Sequence, residues 1–197
     1  ALVGLVSLAG AQGQAGLEWP SYGRDPGGAR FSPLSQITRA NVTALTVVWR
    51  YHTGEPVVEV SRQPSLEVTP IVAEGAMYIS TPLGKVMALD PATGREIWRY
   101  DARVDPRGGY GDFANRGVST WVDDTVKPGF PCRRRVFATT VDARLIALDA
   151  SSGTPCSSFG VEGTVGLRHG LRIPPAFPHA YLVTSPPAVI NGLVITG

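Results

Sequence analysis

The chain has 197 residues, 43% of them hydrophobic and 17% charged, the composition of an ordinary globular protein with enough apolar residues for a sizeable core. Its 18 Lys and Arg against 16 Asp and Glu give a formal net charge of +2, which offers no basis for a nucleic-acid or other polyanion partner. The one basic run, Arg133-Arg134-Arg135, has no wider basic face around it and reads as the solvated entrance of a strand.

In chain order, the first segment is Ala1 to Ala11, ALVGLVSLAGA, apolar and small. It is too short to span a bilayer. It closes on Ala9-Gly10-Ala11, the A-x-A pattern that signal peptidases cut. No initiator Met or basic region precedes it, so residues 1–16 read as the remainder of a signal peptide, with a weakly apolar, frayed terminus as the alternative. Export to the periplasm is the expectation, and residues 17–197 are the globular part.

A repeat begins further on. Met77-Tyr-Ile-Ser-Thr81 is followed by Lys85-Val-Met-Ala-Leu-Asp90, then Pro-Ala-Thr-Gly94 and Ile97-Trp98. The pattern returns as Val136-Phe-Ala-Thr-Thr140, Arg144-Leu-Ile-Ala-Leu-Asp149 and Ala-Ser-Ser-Gly153, so that Asp90 and Asp149 lie 59 positions apart. A third copy starts at Pro187-Ala-Val-Ile-Asn-Gly192, 117 residues after Pro70-Ile-Val-Ala-Glu-Gly75, and Trp49-Arg-Tyr51 echoes Trp98-Arg-Tyr100. Apolar, β-rich runs between turn residues are strands. Gly75 and Gly192 fall where a tight hairpin needs positive φ. Each Asp-x-x-x-Gly is a turn closed by glycine. Ala88 and Ala147 are small mid-strand residues suited to the close approach of stacked sheets, and Trp98 has a ring to bury between neighbouring units. Four short strands repeated around an axis make a propeller blade.

The fold class is therefore all-β, a β-propeller. At about 59 residues per unit the chain holds about three blades, fewer than the 4–8 of closed propellers, so the expectation is an N-terminal fragment of a longer chain. The two cysteines, Cys132 and Cys156, flank the open end of the hairpin that turns near Asp142. A disulfide is expected there, as in exported proteins, with two free thiols as the alternative. His52, His169 and His179 show no metal-ligand spacing, and Gly108-Gly109-Tyr110-Gly111 has no β-α unit around it to make a nucleotide loop.

An ordered set of motifs then resembles the pyrroloquinoline-quinone (PQQ) dependent dehydrogenases, closest to their glucose or sugar-oxidising branch. It comprises Trp19-Pro-Ser-Tyr-Gly23, Arg30-Phe-Ser-Pro-Leu34, Glu67-Val-Thr-Pro70, Asn115-Arg116-Gly117-Val118 and Thr184-Ser-Pro-Pro187. With the blade turns, the similarity runs from Leu17 to Gly197. It implies an eight-bladed propeller with PQQ, a flat tricarboxylated quinone, at its axis.

The resemblance also implies three cofactor-binding residues. Arg116 matches an arginine that pairs with a cofactor carboxylate, for which a guanidinium is suited by its bidentate geometry and permanent charge. Glu67 matches a glutamate beside the cofactor, where it needs either a proton or Arg116 as partner. Thr184 matches a threonine whose hydroxyl bonds the cofactor, and Asn115 orients the loop around Arg116. Two departures stand out. Tyr110-Gly111 occupies the place of the adjacent cysteines that stack on the quinone in the alcohol branch, which leaves Tyr110 either as a stacking group or as a surface aromatic. Asp112 stands where the membrane-bound glucose branch has a histidine.

The implied activity is oxidation of a sugar or alcohol, with electrons passing to a quinone or cytochrome acceptor and with membrane association open. Calcium bound to the quinone and an aspartate base belong to later blades on this reading. No catalytic or metal residue is assigned within Ala1–Gly197, and the 197 residues alone are expected to be inactive. The rival from another class is a non-enzymatic periplasmic propeller that serves as a scaffold for outer-membrane protein assembly.

Overall fold

The structure, a computed structural model, describes residues 18–25, 27–60 and 63–197. The signal-peptide reading of residues 1–16 lies outside the described residues. The described chain is built from strands, with two single-turn 3-10 helices at Val42–Ala44 and Pro178–Ala180.

A short strand β1 (Ser65–Leu66) leads into β2 (Ile71–Ala73), β3 (Ala76–Ser80), β4 (Lys85–Leu89) and β5 (Glu96–Asp101). The last four form an antiparallel sheet in sequence order. After another short strand, β6 (Ala114–Asn115), the pattern repeats as β7 (Val118–Val122), β8 (Arg134–Thr139), β9 (Arg144–Asp149) and β10 (Thr164–Gly166). The hairpin β11 (Ala188–Ile190) and β12 (Leu193–Ile195) opens a third unit. The described residues thus hold two complete four-stranded blades and the first hairpin of the next, the partial propeller that the repeat predicts.

The turns follow from the residues at them. Glu74 and Gly75 have φ of 48° and 77°, and Asn191 and Gly192 have 51° and 76°. Two successive residues with positive φ make the turn whose twist matches that of the flanking strands. In the second blade this turn is replaced by the long connection Asp123–Arg133, and the disulfide Cys132–Cys156 pins that connection to the loop after β9, with Cα atoms 5.8 Å apart. Arg133, Arg134 and Arg135 are each ion-paired here, to Asp124, Glu74 and Asp123 at 3.1, 2.6 and 3.0 Å, so the basic triplet ties this connection and the first blade together.

Middle strands read as continuous apolar runs because both of their faces are covered. Val86 and Ala88 of β4 meet Val136, Ala138, Ile146 and Leu148 of the second sheet in one core cluster. Met87 and Leu89 face the other way, toward Ile79, Tyr51 and Val68. Ala147 faces Val189 and Val194 of the third hairpin, as Ala88 faces the second sheet. Trp98 spans the seam between the first two blades. Its Nε1 donates to the Ala150 carbonyl at 2.9 Å, and its ring lies on Gly153, in the turn after Asp149. Trp49 does the same one unit earlier, donating to the Pro91 carbonyl at 3.2 Å and lying on Gly94. The tryptophan of one unit therefore seats on the Asp-x-x-x-Gly turn of the next.

Candidate functional site

β2, β7 and β11 are each the first strand of a unit, and the residues just ahead of such a strand stand at one end of its sheet. Glu67 lies ahead of β2, Arg116 ahead of β7 and Thr184 ahead of β11. Backbone bonds lock these three approaches together. Short β1 runs parallel to β6, pairing Leu66 with Asn115. Thr69 N–H donates to the Arg116 carbonyl at 3.1 Å, and Arg116 N–H donates to the Thr184 carbonyl at 3.0 Å. Three consecutive blades thus deliver one side chain each to a common point.

Arg116 is the hub of that point. Its Nη2 lies 3.0 Å from Glu67 Oε2 and 3.1 Å from Asp112 Oδ2. Its Nη1 donates to Asp112 Oδ2 at 3.2 Å and to the Thr184 hydroxyl. The side chains of Arg116, Glu67 and Asp112 are 34, 42 and 44% exposed, so each ion pair contributes only about 0–1 kcal/mol to folding. The cluster is consequently a prepared surface more than a structural brace.

Asn115 and Gly117 hold the hub in place. Asn115 is buried; its Nδ2 donates to the Thr139 carbonyl at 3.1 Å, and its Oδ1 accepts from Gly117 N–H at 3.0 Å and from the Ser80 hydroxyl. Gly117 has φ of 138°, and a Cβ there would meet the Thr69 carbonyl oxygen at 3.2 Å. The Asn-Arg-Gly run is therefore a buried amide, a partly exposed guanidinium and a residue that must lack a side chain. A separate cleft of about 700 Å³, lined by Glu74, Tyr78, Phe130, Arg134 and Ser151 among others, opens at the opposite strand ends and shares no residue with this cluster.

Residues 19–197 match the family profile described as "PQQ: Glucose/ethanol/alcohol dehydrogenase, beta-propeller domain". The chain belongs to this family. Among characterised members, the glycerol dehydrogenase large subunit of Gluconobacter oxydans is 37% identical over 179 residues, which cover 90% of this chain and 24% of that protein. Quinoprotein glucose dehydrogenase A of Acinetobacter calcoaceticus is 35% identical, covering 93% of this chain and 24% of its own length. The crystal structure of the quinohemoprotein alcohol dehydrogenase from Comamonas testosteroni superposes with a TM-score of 0.67 at 32% identity, covering 91% of this chain and 23% of that one. The chain spans about a quarter of the length of the relatives it matches.

Within this quinoprotein frame, one expectation changes. Tyr110 neither stacks over the site nor lies on the surface. It is 8% exposed and packs against Phe113, with ring centroids 5.1 Å apart, in a cluster with Leu83, Val104 and Val141. Burial pushes its phenol above the usual value. A side chain held this way anchors the loop ahead of Arg116 from below. Glu67 meets Arg116 directly, at 3.0 Å, the second of the two partners expected for it. The residue that sequence reasoning left out is Asp112. It stood out only as a departure from one branch, yet it supplies half of the ion pairs to the hub. Its separation of four residues from Arg116 carries no signal outside a helix, so the contact became visible only with the fold. Among the described residues, no group of three or more His, Cys, Asp or Glu is placed to hold a metal ion.

Proposed function

We propose that this chain is the N-terminal part of a PQQ-dependent dehydrogenase that oxidises a sugar or alcohol hydroxyl, and that Glu67, Arg116 and Thr184 bind the cofactor. The observation that carries the reading is the meeting of these three side chains, one from the approach to the first strand of each of three consecutive units, at a single partly exposed guanidinium. The donor set fits the group. PQQ has carboxylates, and Arg116 provides a planar, permanently charged fork beside a hydroxyl that can donate or accept. When bound, the quinone supplies the two-electron oxidant that accepts hydride from an alcohol carbon.

The chain's own residues bind and orient. Arg116 neutralises a carboxylate, Thr184 fixes the ligand's rotation about that contact, and Glu67 holds the guanidinium from the first blade. Calcium would take its ligands, and the reaction its base, from later blades on this reading. The electron acceptor is a quinone or a cytochrome. The Cys132–Cys156 disulfide supports placement in an oxidising compartment, the periplasm. An assembly scaffold has no use for a partly exposed guanidinium on which three blades converge.

Titration of PQQ into the cofactor-free full-length protein tests this reading. Arg116→Ala is expected to weaken binding by about 1.5–3 kcal/mol, or about tenfold to 150-fold in Kd. Arg116→Lys keeps the charge but loses the fork, and falls between. Unchanged affinity in Arg116→Ala would remove this residue from the cofactor site.

A further inference from the structure

Arginine carries four terminal N–H groups, and in Arg116 three of them are hydrogen-bonded. Nη1 donates to Asp112 and Thr184 and Nη2 donates to Asp112, while Nη2 is also ion-paired with Glu67 at 3.0 Å. A ligand carboxylate is held best across both η nitrogens at once. Asp112 already sits across them, with a single oxygen, Oδ2, at 3.2 Å from Nη1 and 3.1 Å from Nη2. No ligand carboxylate can take up that position while Asp112 keeps it.

Of the three partners, Asp112 is the one built to leave. Thr184 and Glu67 precede strands and share the backbone ladder around Arg116. Asp112 lies in the loop ahead of β6, half-exposed, and beside it Gly111 has open space where a Cβ would be. Its backbone is nonetheless anchored by Phe113, which is 3% exposed. Beyond Arg116, the Asp112 carboxylate accepts from the Thr184 hydroxyl at a long 3.4 Å, and a side-chain rotation that gives up these contacts toward solvent needs no loop movement. Charge argues the same way: Glu67, Asp112 and Arg116 sum to −1, and a tricarboxylate approaching them meets net repulsion until one carboxylate withdraws.

We propose that Asp112 is an internal stand-in for a cofactor carboxylate. It holds the Arg116 fork in its binding orientation in the cofactor-free protein, is displaced when PQQ binds, and thereby sets both the affinity and its dependence on salt. Asp112 is in this sense a positioning residue that acts through Arg116. The inference rests on the cofactor reading above.

The test uses full-length protein freed of cofactor, at fixed calcium, with PQQ binding followed by fluorescence titration at low and high ionic strength. Asp112→Asn is expected to tighten binding about fourfold at low salt, the size of a like-charge term at about 5 Å in a water-like dielectric. The gain should shrink to less than about twofold at about 0.5 M salt. Asp112→Ser, equally neutral and smaller, should show the same gain, and the charge-retaining Asp112→Glu should stay close to wild type. Weaker or unchanged binding in both neutral variants overturns the proposal, as does tightening by Asp112→Glu. If the wild-type protein takes up no PQQ at all, the cofactor reading itself falls, an outcome separate from a ranking of variants that bind.

Discussion

The seating of Trp98 on Gly153 yields a prediction that isolates one contact between blades. Gly153 has φ of 72°, and a Cβ added there would lie 2.5 and 2.7 Å from the Trp98 Cε3 and Cδ2 atoms. Ordinary carbon contacts begin near 3.5 Å, so the ring would have to retreat by about 1 Å. It has little room to do so, because its Nε1 is bonded to the Ala150 carbonyl and its face is tilted against Tyr78 at 5.9 Å. Forced overpacking costs about 1–3 kcal/mol, and a left-handed backbone adds about 1–2 kcal/mol for a residue with a side chain. Gly153→Ala should therefore destabilise the protein by about 2–5 kcal/mol, and Trp98→Ala alone by about 3–5 kcal/mol. In the Trp98→Ala background the ring is gone, so Gly153→Ala should cost only its backbone share. The double-mutant cycle then gives a coupling of about 1–3 kcal/mol. Urea unfolding of the full-length variants followed by far-ultraviolet circular dichroism measures this, since fluorescence would itself change with the loss of Trp98. Gly94→Ala provides a control: its Cβ would meet Trp49 at 2.5 Å, so it should couple to Trp49 and not to Trp98. Equal costs for Gly153→Ala in both backgrounds would refute the claim that this glycine exists to receive the ring.

Two further predictions concern the second blade. Replacing Cys132 and Cys156 by serine should cost about 3.5 kcal/mol by the loop-entropy argument for a sequence separation of 24, read as a lower unfolding midpoint that matches the reduced wild type. Asp149, buried at the end of β9, gives the protein an acid limit. Burial pushes its carboxyl up, but hydrogen bonds from Ser151, the Cys132 N–H and Ser152 outweigh this and hold it below the usual range. A depressed folded value means that its contribution is complete above the unfolded value of about 3.9 and is lost as pH falls through the folded one. Asp149→Asn should be destabilised at neutral pH and lose less further stability on acidification than the wild type, so that its deficit in urea unfolding narrows below about pH 4; a deficit independent of pH would count against this role.

Much of the fold was legible because its signals are local and recur. Asp90 and Asp149 close equivalent turns with their side chains on the following backbone N–H groups, Ala92 and Thr93 in one case, Ser151 and Ser152 in the other. Gly75 and Gly192 bend equivalent hairpins. Each feature is fixed by a few consecutive residues, so the sequence displays it whether or not the blades have assembled. Tyr110 was not legible in this way. An aromatic between glycines carries no period, and whether it faces water, ligand or core depends on Val104 in its own connection and on Leu83 and Val141, which come from other connections.

The site lies between these extremes, and the reason is geometric. Glu67 and Thr184 are 117 positions apart, the same interval that separates Gly75 from Gly192, so they occupy one topological place in two blades. Arg116 breaks the interval because the second blade has the long Asp123–Arg133 connection in place of a tight turn. Its alignment with the others is restored only by hydrogen bonds: Thr69 to the Arg116 carbonyl, and Arg116 to the Thr184 carbonyl. The repeat thus locates two of the three side chains, and the backbone ladder between blades locates the third. Asp112 belongs to neither system. It comes from the loop ahead of the ladder and meets Arg116 only because Phe113, one residue on, is buried and Asn115 is tied to the Thr139 carbonyl. A residue positioned by what buries its neighbours leaves no mark in spacing or composition. The group best able to govern access to Arg116 was for that reason the least visible in the sequence.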